Sequence, residues 1–449
     1  MGCSVSHPVD FESEVNLFHF ELHRAVGKGA FGKVRVVEHK KTKQVYALKY
    51  IDKSKCVKQK AVANTIQERH LLEEVDHPFI VNLRYAFQDD ENCFFVLDLM
   101  LGGDLRFHLE RKGNLSEHIV RFWMAELASA LVYLHKRRII HRDIKPDNIL
   151  LDAQGHAHIT DFNVAIHYSE RRLHTSVAGS MAYMAPEVIG RKGYTWCIDW
   201  WSLGITAFEL LFSNRPFDGR TAERMRKSIM NDTLKFPDDV SRKYSSQGIN
   251  FIQGLLERTV SQRLGCKPRG AGFQDIKDHP WMSGVDWNLL SSKSAQPPFV
   301  PDVSAPLVSI VCLLTSLVQA KRANFDVSHE LDEFLMVEKP LTHSKRKANP
   351  NLDKMKPEFR QLEEEFTVYD FMSSQRRSYY PHNQPVVTVA RSSESPERDH
   401  LAVTQSQTNT IQPTATIAER TLAERSLAGS PAPGATRDIP LVATFSGYP

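Results

Sequence analysis

The sequence has little that would mark a secreted, membrane-spanning or nucleic-acid-binding protein. Its six cysteines are scattered with no short Cys-Cys or Cys-His spacing, so neither a zinc site nor a disulfide framework is indicated. Lysine plus arginine (57) nearly balance aspartate plus glutamate (53), and a net charge of +4 gives no overall field that would favour nucleic acid. The start lacks a basic segment followed by an apolar one, so no secretory signal is expected.

The composition is that of a soluble globular protein. Hydrophobic residues make up 41% of the chain, aromatic residues 9% and charged residues 24%, which is enough apolar surface for a large core. The longest apolar run, residues 306–318, is shorter than the ~20 residues that a membrane-spanning helix needs. We expect a buried or docked helix there.

Hydrophobic patterning divides the chain into four parts. Residues 1–19 form a short leader, and residues 20–282 carry dense patterns, with strands in front and helices behind. Helices are predicted after Ser116 and from Trp200 to Leu211. Residues 283–372 are less regular, and residues 373–449, rich in Ser, Thr, Gln, Pro and Ala, are expected to stay disordered.

A glycine-rich segment lies between two predicted strands. Residues 27–34 read GKGAFGKV, and glycines let a hairpin backbone close over phosphate groups while the valine covers a flat base. A glycine-rich hairpin without a ligand is the alternative. A dinucleotide-binding unit is excluded because residues 33–38 continue as a strand rather than a helix. The residues expected at a nucleotide are Val26, Gly27, Lys28, Gly29, Ala30, Phe31, Gly32, Lys33 and Val34.

Two further motifs follow in the order that phosphoryl transfer requires. Lys49 lies on a half-buried strand face and needs an anionic partner, for which Glu68 on a predicted helix is the best candidate; a solvated glutamate is the alternative. Residues 141–148 read HRDIKPDN, in which Asp143 can accept a hydroxyl proton and Asn148 can hold a metal ion.

The segment after this loop supplies a second metal ligand and an anchor. Asp161, in the sequence DFN, would bind a Mg²⁺ ion that bridges nucleotide phosphates. Glu187 closes the segment. We expect it to form a buried ion pair with Arg263 that anchors the segment rather than taking part in catalysis.

These motifs, from Gly27 to Arg263, resemble a eukaryotic protein kinase domain, and their details resemble the AGC group and most closely its YANK family. The cues for that family are VGKG at 26–29, DHPF at 76–79, LGGDL at 101–105, ITDFN at 159–163 and VDW at 285–287. The resemblance implies an α+β bilobal fold, with a small β-rich N-lobe that has one helix and a larger, mainly helical C-lobe. It implies a kinase domain over residues 20–282 and an AGC-like C-terminal tail over residues 283–372, with an apolar insert near residues 305–322.

The resemblance also implies ATP and Mg²⁺ as cofactors and transfer of the γ-phosphate to serine or threonine hydroxyls of protein substrates. Lys145, two residues after Asp143, is typical of Ser/Thr kinases. By position, Leu97 would be the gatekeeper, and Asp98 and Met100 the hinge residues that meet the adenine edge. Val34, Ala47 and Leu150 would enclose the base. The implied catalytic residues are Asp143, Lys145, Lys49 and Glu68, and the implied metal ligands are Asn148 and Asp161.

Two features bear on substrate choice and on activity. Asp104, Asp147 and Glu209 match positions that select basic residues upstream of the acceptor in related kinases, although ordinary surface carboxylates fit the same pattern.

Asn163 stands where most kinases have glycine, as is usual in the YANK family. Asparagine tolerates left-handed geometry at modest cost, so we expect it to stiffen the metal-binding turn without removing Asp161. A catalytically weak kinase-like scaffold is the alternative function.

The segment before Glu187 carries two candidate regulatory residues, Thr175 and Ser176. The family pattern favours Ser176. A phosphate there would pair with Arg142, beside the catalytic aspartate, and order the segment. An exposed hydroxyl without this role is the alternative.

The first six residues, MGCSVS, match the pattern for N-myristoylation of Gly2, with Cys3 adjacent for palmitoylation. One myristoyl chain binds membranes only marginally, so a second lipid at Cys3 would make the attachment stable. We therefore expect the protein at the cytoplasmic face of the plasma membrane, anchored in the inner leaflet, and in the cytoplasm. An unmodified leader is the alternative.

Two segments beyond residue 282 resemble parts of the AGC C-terminal tail. They are FVP at 299–301 and EFTVYDF at 365–371. In that group the terminal aromatic motif docks on the small lobe beside the Glu68 helix, and Asp370 would supply a negative charge where relatives need phosphate. An amphipathic segment without this role is the alternative.

Overall fold

The structure, a computed structural model, describes residues 9–28, 32–169, 171–267, 271–303, 341, 346 and 351–372. Several predictions fall outside them. The lipidation residues Gly2 and Cys3, the glycine-loop tip Gly29, Ala30 and Phe31, the apolar insert near residues 305–322 and the tail 373–449 lie outside the described residues.

An antiparallel sheet with strand order β1-β2-β3-β5-β4-β10 forms the N-lobe. In β3, Tyr46 and Leu48 are buried on one face while Ala47 and Lys49 lie half-buried on the other, which is the period-two alternation of a strand. The predicted pair of strands around the glycine turn is confirmed, since β1 and β2 pair in antiparallel register. The strands are β1 Phe20–Lys28, β2 Lys33–His39, β3 Val45–Asp52, β4 Leu83–Gln88, β5 Asn92–Asp98 and β10 Tyr369–Asp370.

Two helices, α1 Lys53–Lys58 and α2 Val62–Glu74, connect β3 to β4. α1 begins after Asp52, whose side chain caps it by accepting a hydrogen bond from the backbone N–H of Lys55 (2.8 Å). α2 is the predicted Glu68 helix. The short α1 therefore adds a second helix to the one expected in this lobe.

Helices form most of the C-lobe. Every residue of α6 is buried, which explains why its sequence shows so few polar positions, and α4 begins directly after Ser116 as predicted. The α+β bilobal fold is confirmed. The helices are α3 Leu105–Lys112, α4 Glu117–Lys136, α5 Pro186–Ile189, α6 Cys197–Phe212, α7 Ala222–Asn231, α8 Val240–Lys243, α9 Ser246–Leu255, α10 Ala271–Asp278 and α11 Trp287–Ser291.

Short paired strands and 3₁₀ turns flank the loops at the junction of the two lobes. β6 Ile139–Ile140 pairs with β9 Ile166–His167, and β7 Ile149–Leu151 pairs with β8 Ala157–Ile159. These hairpin-like pairs fix the two ends of the segments that hold the candidate catalytic residues. Single 3₁₀ turns lie at Leu17–His19, Pro146–Asn148, Met181–Tyr183, Pro280–Met282 and Leu352–Lys354.

The C-terminal segment returns to the N-lobe as α12, Pro357–Glu365, followed by β10. α12 packs beside α1 and α2. Lys53, of which 2% of the side chain is exposed, forms an ion pair with Glu363 and donates to the carbonyl oxygen of Asp89 (2.6 Å). Phe299 of the FVP segment instead packs in the C-lobe, edge to face with Trp123 (5.6 Å between ring centroids).

Candidate active site

Lys49 and Glu68 form an ion pair between the sheet and α2. Lys49 Nζ lies 2.7 Å from Glu68 Oε1 and 3.6 Å from Asp161 Oδ1. Burial lowers the pKa of Lys49, but the two carboxylates more than offset this and raise it above its ordinary value, so the ammonium stays charged at neutral pH. The structure thus places the two side chains in the predicted contact, and Glu68 is buried rather than solvated.

A buried carboxylate shapes the loop that carries Asp143. Asp199, near the start of α6, accepts the backbone N–H groups of His141 (3.0 Å) and Arg142 (2.9 Å) and contacts His135 Nε2 (2.8 Å). Arg142 has a φ of 69°, a left-handed conformation that costs about 1–3 kcal/mol and persists where the surroundings impose it. The sequence reasoning missed Asp199, although an acidic residue near the start of a largely apolar helix was a signal.

Three donors converge on the Asp143 carboxylate. Its Oδ1 accepts the backbone N–H of Ser180 (2.7 Å), while its Oδ2 accepts from Asn148 Nδ2 (2.9 Å) and lies 3.0 Å from Lys145 Nζ. Lys145 Nζ also donates to Ser180 Oγ (2.8 Å). Burial raises the pKa of Asp143, but Lys145 and Ser180 outweigh it and hold the pKa below its usual value. The group is a carboxylate at neutral pH.

Ser180 is a site residue that the sequence reasoning did not identify. It follows Gly179, which has a φ of +100°, and a Cβ at Gly179 would lie 2.3 Å from the carbonyl oxygen of Arg142. Glycine at this position therefore lets the segment approach the loop of Asp143. The available signal was this Gly-Ser pair shortly before Glu187.

The DFN turn holds its positive φ at Asp161. Asp161 has a φ of 65°, whereas the φ of Asn163 is not positive. Asparagine at 163 therefore carries no left-handed strain in this conformation, and its stiffening of the metal-binding turn relative to glycine stays a prediction. Phe162 is buried and packs edge to face against His141, with ring centroids 5.0 Å apart.

The predicted metal ligands fit a magnesium ion that is bound largely through oxygens of the nucleotide. The Asp161 side chain is 42% exposed. Asn148 turns its amide nitrogen towards Asp143, which points its amide oxygen away from that residue. One carboxylate and one amide oxygen are typical of Mg²⁺ sites completed by phosphates and water. Within the described ranges, no cluster of three or more His, Cys, Asp or Glu residues could hold a metal ion.

Side chains predicted to enclose the adenine lie where the two lobes meet. Ala47 is opposite Leu97 on adjacent strands, and both are half-buried. Leu150 is half-buried although its neighbours in β7 are fully buried, which indicates that it faces the cleft. The Asp98 carboxylate pairs with Arg84 (2.6 and 3.0 Å), so only its backbone is available to the adenine. The other described residues of the predicted set are Val26, Gly27, Lys28, Gly32, Lys33, Val34 and Met100.

Ser176 lies against Arg142, as the regulatory hypothesis requires. Arg142 Nη1 donates to Ser176 Oγ (3.0 Å) and to the hydroxyl of Tyr194 (3.0 Å). Thr175 is exposed. Of the two candidate hydroxyls, Ser176 is therefore the one in contact with the guanidinium.

The predicted anchor at the end of this segment is confirmed. Arg263 donates from Nη1 to Glu187 Oε1 (2.7 Å) and from Nη2 to Glu187 Oε2 (3.0 Å). The Arg263 side chain is fully buried. Such a two-bond contact fixes orientation as well as charge, in accordance with a structural role.

The three carboxylates expected to select basic residues have unequal surroundings. Glu209 is buried and pairs with Arg106. Asp147 keeps 48% of its side chain exposed. Asp104 is half-buried at the start of α3, where it accepts the backbone N–H of Phe107 (2.8 Å), and burial raises the pKa of Asp104 above its usual value.

The C-terminal aromatic motif packs on the N-lobe beside α2, as predicted. Phe366 is fully buried and meets Phe95 edge to face, with ring centroids 5.2 Å apart. Arg69 Nε donates to the carbonyl oxygen of Thr367 (3.0 Å). Since Arg69 follows Glu68 in α2, the tail contacts the helix that carries the partner of the active-site lysine.

The end of the motif reaches the outer edge of the sheet. Asp370 pairs with Tyr85 in the β10–β4 ladder. The Phe371 ring lies 4.9 Å from the Arg84 guanidinium carbon and 5.5 Å from the Tyr85 ring. The two aromatic ends of the motif therefore make different contacts, one near α2 and one on β4.

Comparisons with known proteins agree with this geometry. Residues 20–282 match the protein kinase domain family. Human serine/threonine-protein kinase 32B is 40% identical over 359 residues, covering 78% of this chain and 81% of that protein. Human serine/threonine-protein kinase 32C is 38% identical over 362 residues, covering 78% and 70%. Protein kinase 2 of Dictyostelium discoideum is 40% identical over 286 residues, covering 64% and 58%.

Fold, site and relatives together define a serine/threonine protein kinase that uses ATP. Within that class, the chain belongs to the YANK family of the AGC group.

Proposed function

We propose that phosphoryl transfer in this protein depends on Asp143, Lys145, Lys49 and Glu68 as catalytic residues, with Asn148 and Asp161 as ligands of Mg²⁺. The observation that carries the proposal is the convergence of the Ser180 N–H, Asn148 and Lys145 on an ionised Asp143. Three fixed donors orient this carboxylate before a substrate arrives.

Each residue has a distinct part in the reaction. Asp143 positions the serine or threonine hydroxyl and accepts its proton as the hydroxyl oxygen bonds to the γ-phosphorus and the bond from that phosphorus to the β–γ bridging oxygen breaks, which releases ADP. Lys145, 3.0 Å from the same carboxylate, stabilises negative charge on the transferring phosphoryl group. Lys49, held by Glu68 at 2.7 Å, binds phosphate oxygens of the nucleotide. Asn148 and Asp161 would hold Mg²⁺, which would supply positive charge to neutralise the phosphates.

The substitution Asp143→Asn tests the assignment. Asparagine keeps the size of the side chain but cannot accept the proton, and we expect transfer of labelled phosphate from Mg²⁺-ATP to a serine peptide to fall on the order of 10²–10⁴-fold. Nucleotide affinity, measured by calorimetry, serves as the folding control. Equal phosphate incorporation by both proteins would refute the proposed role of Asp143.

A catalytically weak scaffold is the second candidate, motivated by Asn163. Two observations weigh against it: Asn163 has no positive φ, and the Lys49–Glu68 pair is formed. A scaffold has no physical need for that ion pair. Nucleotide binding without turnover in the unmodified protein would support the scaffold instead.

We further propose that the acceptor serine or threonine lies in a basic sequence context. The half-exposed Asp147 carboxylate and the half-buried Asp104 carboxylate are close enough to repel each other, and together they would attract lysine or arginine upstream of the acceptor. Peptide pairs that differ only in one upstream arginine measure this preference. Asp147→Asn should weaken it, and an unchanged preference would exclude Asp147.

Phosphorylation of Ser176 is proposed as the regulatory event. Arg142 already contacts Ser176 Oγ, so a phosphate there would gain charge-assisted hydrogen bonds without a large movement. Ser176→Ala should lower activity of protein purified from cells, with Thr175→Ala as the matched control. A larger loss in Thr175→Ala would assign the regulatory role to Thr175.

Acylation of Gly2 and Cys3 is proposed to hold the kinase at the cytoplasmic face of the plasma membrane, with the remainder in the cytoplasm. Support comes from the MGCSVS pattern. In the part of the chain that the structure describes, no helix is long and apolar enough to span a bilayer. Gly2→Ala should abolish myristate incorporation and membrane fractionation, and Cys3→Ser should leave myristate in place but weaken retention. Membrane retention of Gly2→Ala would contradict the proposal.

A further inference from the structure

The chain's own Arg106 occupies the acidic pocket around Glu209. Arg106 is the second residue of α3, and its guanidinium meets Glu209 with two parallel bonds, Nη1 to Oε1 at 3.0 Å and Nη2 to Oε2 at 3.2 Å. Nη2 also lies 3.4 Å from Asp147 Oδ2 and donates to the Tyr183 hydroxyl (2.6 Å). Tyr183 in turn donates to Glu209 Oε2.

Every carboxylate oxygen of Glu209 is therefore engaged from within the protein. Glu209 lies in the fully buried helix α6, where an unpaired carboxylate would be costly, and Arg106 supplies the opposite charge in the two-bond geometry that guanidinium and carboxylate favour. A guanidinium from a substrate would have to displace Arg106 before it could bind Glu209. It would also meet a second positive charge at the same place.

We propose that Arg106 is a specificity-determining residue, which fills the Glu209 subsite and closes it to an arginine of the substrate. The inference rests on the proposed basic sequence context and narrows it. Arg106 cancels one of the two negative charges contributed by Glu209 and Asp147. The carboxylates left open to a substrate are Asp104 and the exposed side of Asp147.

The position of the network allows this role. A quarter of the Arg106 side chain (25%) and nearly half of the Asp147 side chain (48%) are exposed, so the ion-pair cluster opens to solvent. A purely structural role, in which Arg106 only ties α3 to α6, would stabilise the protein without affecting which peptides are phosphorylated. Peptide selectivity therefore distinguishes the two roles.

The test uses the full chain and the substitution Arg106→Met, which keeps the apolar stem and removes the guanidinium. The probes are a serine peptide with alanine at the five upstream positions and five versions with one arginine each. The ratio of kcat/KM for an arginine peptide to that for the alanine peptide is measured within each protein. For arginine at one of the five upstream positions, we expect a kcat/KM ratio near one in the unmodified kinase. In Arg106→Met we expect the same ratio to rise about 10-fold, equivalent to ~1.4 kcal/mol.

The double variant Arg106→Met, Glu209→Gln is the matched control. It removes both charges, so the gained preference should disappear while the alanine peptide is still phosphorylated. If Arg106→Met does not fold, as judged by thermal unfolding, Arg106→Lys replaces it, because a single ammonium cannot hold both oxygens of Glu209 and should give a smaller gain at the same position.

The outcomes separate this inference from the proposal on which it rests. If the kcat/KM ratios of the five arginine peptides to the alanine peptide are the same in the unmodified and substituted kinases, the role of Arg106 is overturned. A raised ratio that persists in the double variant would overturn it as well. If no arginine version is preferred by any of the proteins, the proposed basic context fails, whereas an upstream preference in the unmodified kinase that is lost in Asp147→Asn supports it.

Discussion

The substitution Phe366→Ala tests whether the docked tail holds α2 in the position that the active site needs. The Phe366 ring is fully buried against Phe95, whose own ring lies 5.7 Å from Lys49 Nζ. The next residue, Thr367, accepts a hydrogen bond from Arg69 of α2. Truncating a buried phenylalanine to alanine typically costs about 3–5 kcal/mol.

That energy sets the expected loss of activity. A cost of about 3 kcal/mol changes the docking equilibrium by a factor of roughly 100, and only molecules with a docked tail hold α2 from this side. We therefore expect kcat/KM for a serine peptide to fall, with about 100-fold as the upper limit that is reached when the tail of the unmodified protein is only just docked. Amide hydrogen exchange should accelerate in both α12 and α2.

Phe371→Ala provides the matched control. Phe371 is also buried, but it packs on Arg84 and Tyr85 at the outer edge of the sheet rather than near α2. Its removal should loosen the end of the tail and change kcat/KM by less than about threefold, since sites without shared contacts act independently. If Phe366→Ala accelerates exchange in α12 yet leaves kcat/KM unchanged, the tail does not support α2 and the reasoning is wrong.

Three further predictions concern the site and its anchor. Lys145 holds the pKa of Asp143 below the ordinary 3.8, so this carboxylate stays ionised as the pH falls towards that value. Lys145→Met should therefore raise the pKa of Asp143 and move the acidic limb of the kcat/KM profile to higher pH. An unmoved limb would contradict the role of Lys145. Asn163→Gly should change kcat by less than about threefold, because no strain is relieved, and steady-state kinetics that show a gain of about tenfold or more would refute this. Glu187→Gln leaves a buried arginine unpaired and should lower the free energy of unfolding by about 3–5 kcal/mol in denaturant titrations. Asp275→Asn breaks the pair that this half-buried carboxylate forms with the exposed Lys267 and should cost at most about 1 kcal/mol; equal losses for Glu187→Gln and Asp275→Asn would argue against the anchor.

Local patterns were sufficient for much of the fold and for the choice of the candidate site residues. β3 alternates buried and half-buried side chains, so its period could be seen in the sequence, and α4 begins at a typical capping position. Asp143, Asn148 and Lys49 could be chosen as candidates because phosphoryl transfer requires these residue types in a fixed order. Each of these inferences depends on neighbours in sequence.

Contacts between distant parts of the chain could not be predicted in the same way. Arg106 and Glu209 are 103 residues apart, and Lys53 and Glu363 are 310 residues apart. No local period restricts such partners, so the sequence reasoning grouped Asp104, Asp147 and Glu209 together although the charge of Glu209 is paired with that of Arg106. Backbone dihedral angles could not be predicted either, since composition alone does not assign the positive φ to Asp161.

The two-residue strand β10 also has a consequence for self-association. Tyr369 and Asp370 pair with Ala86 and Tyr85, and they cover the side of β4 that would otherwise be an open sheet edge. Unpaired edge strands offer a template on which another chain can add a strand. A truncation before Tyr369 should therefore yield a kinase that aggregates more readily, because its tail no longer shields the β4 edge from other molecules.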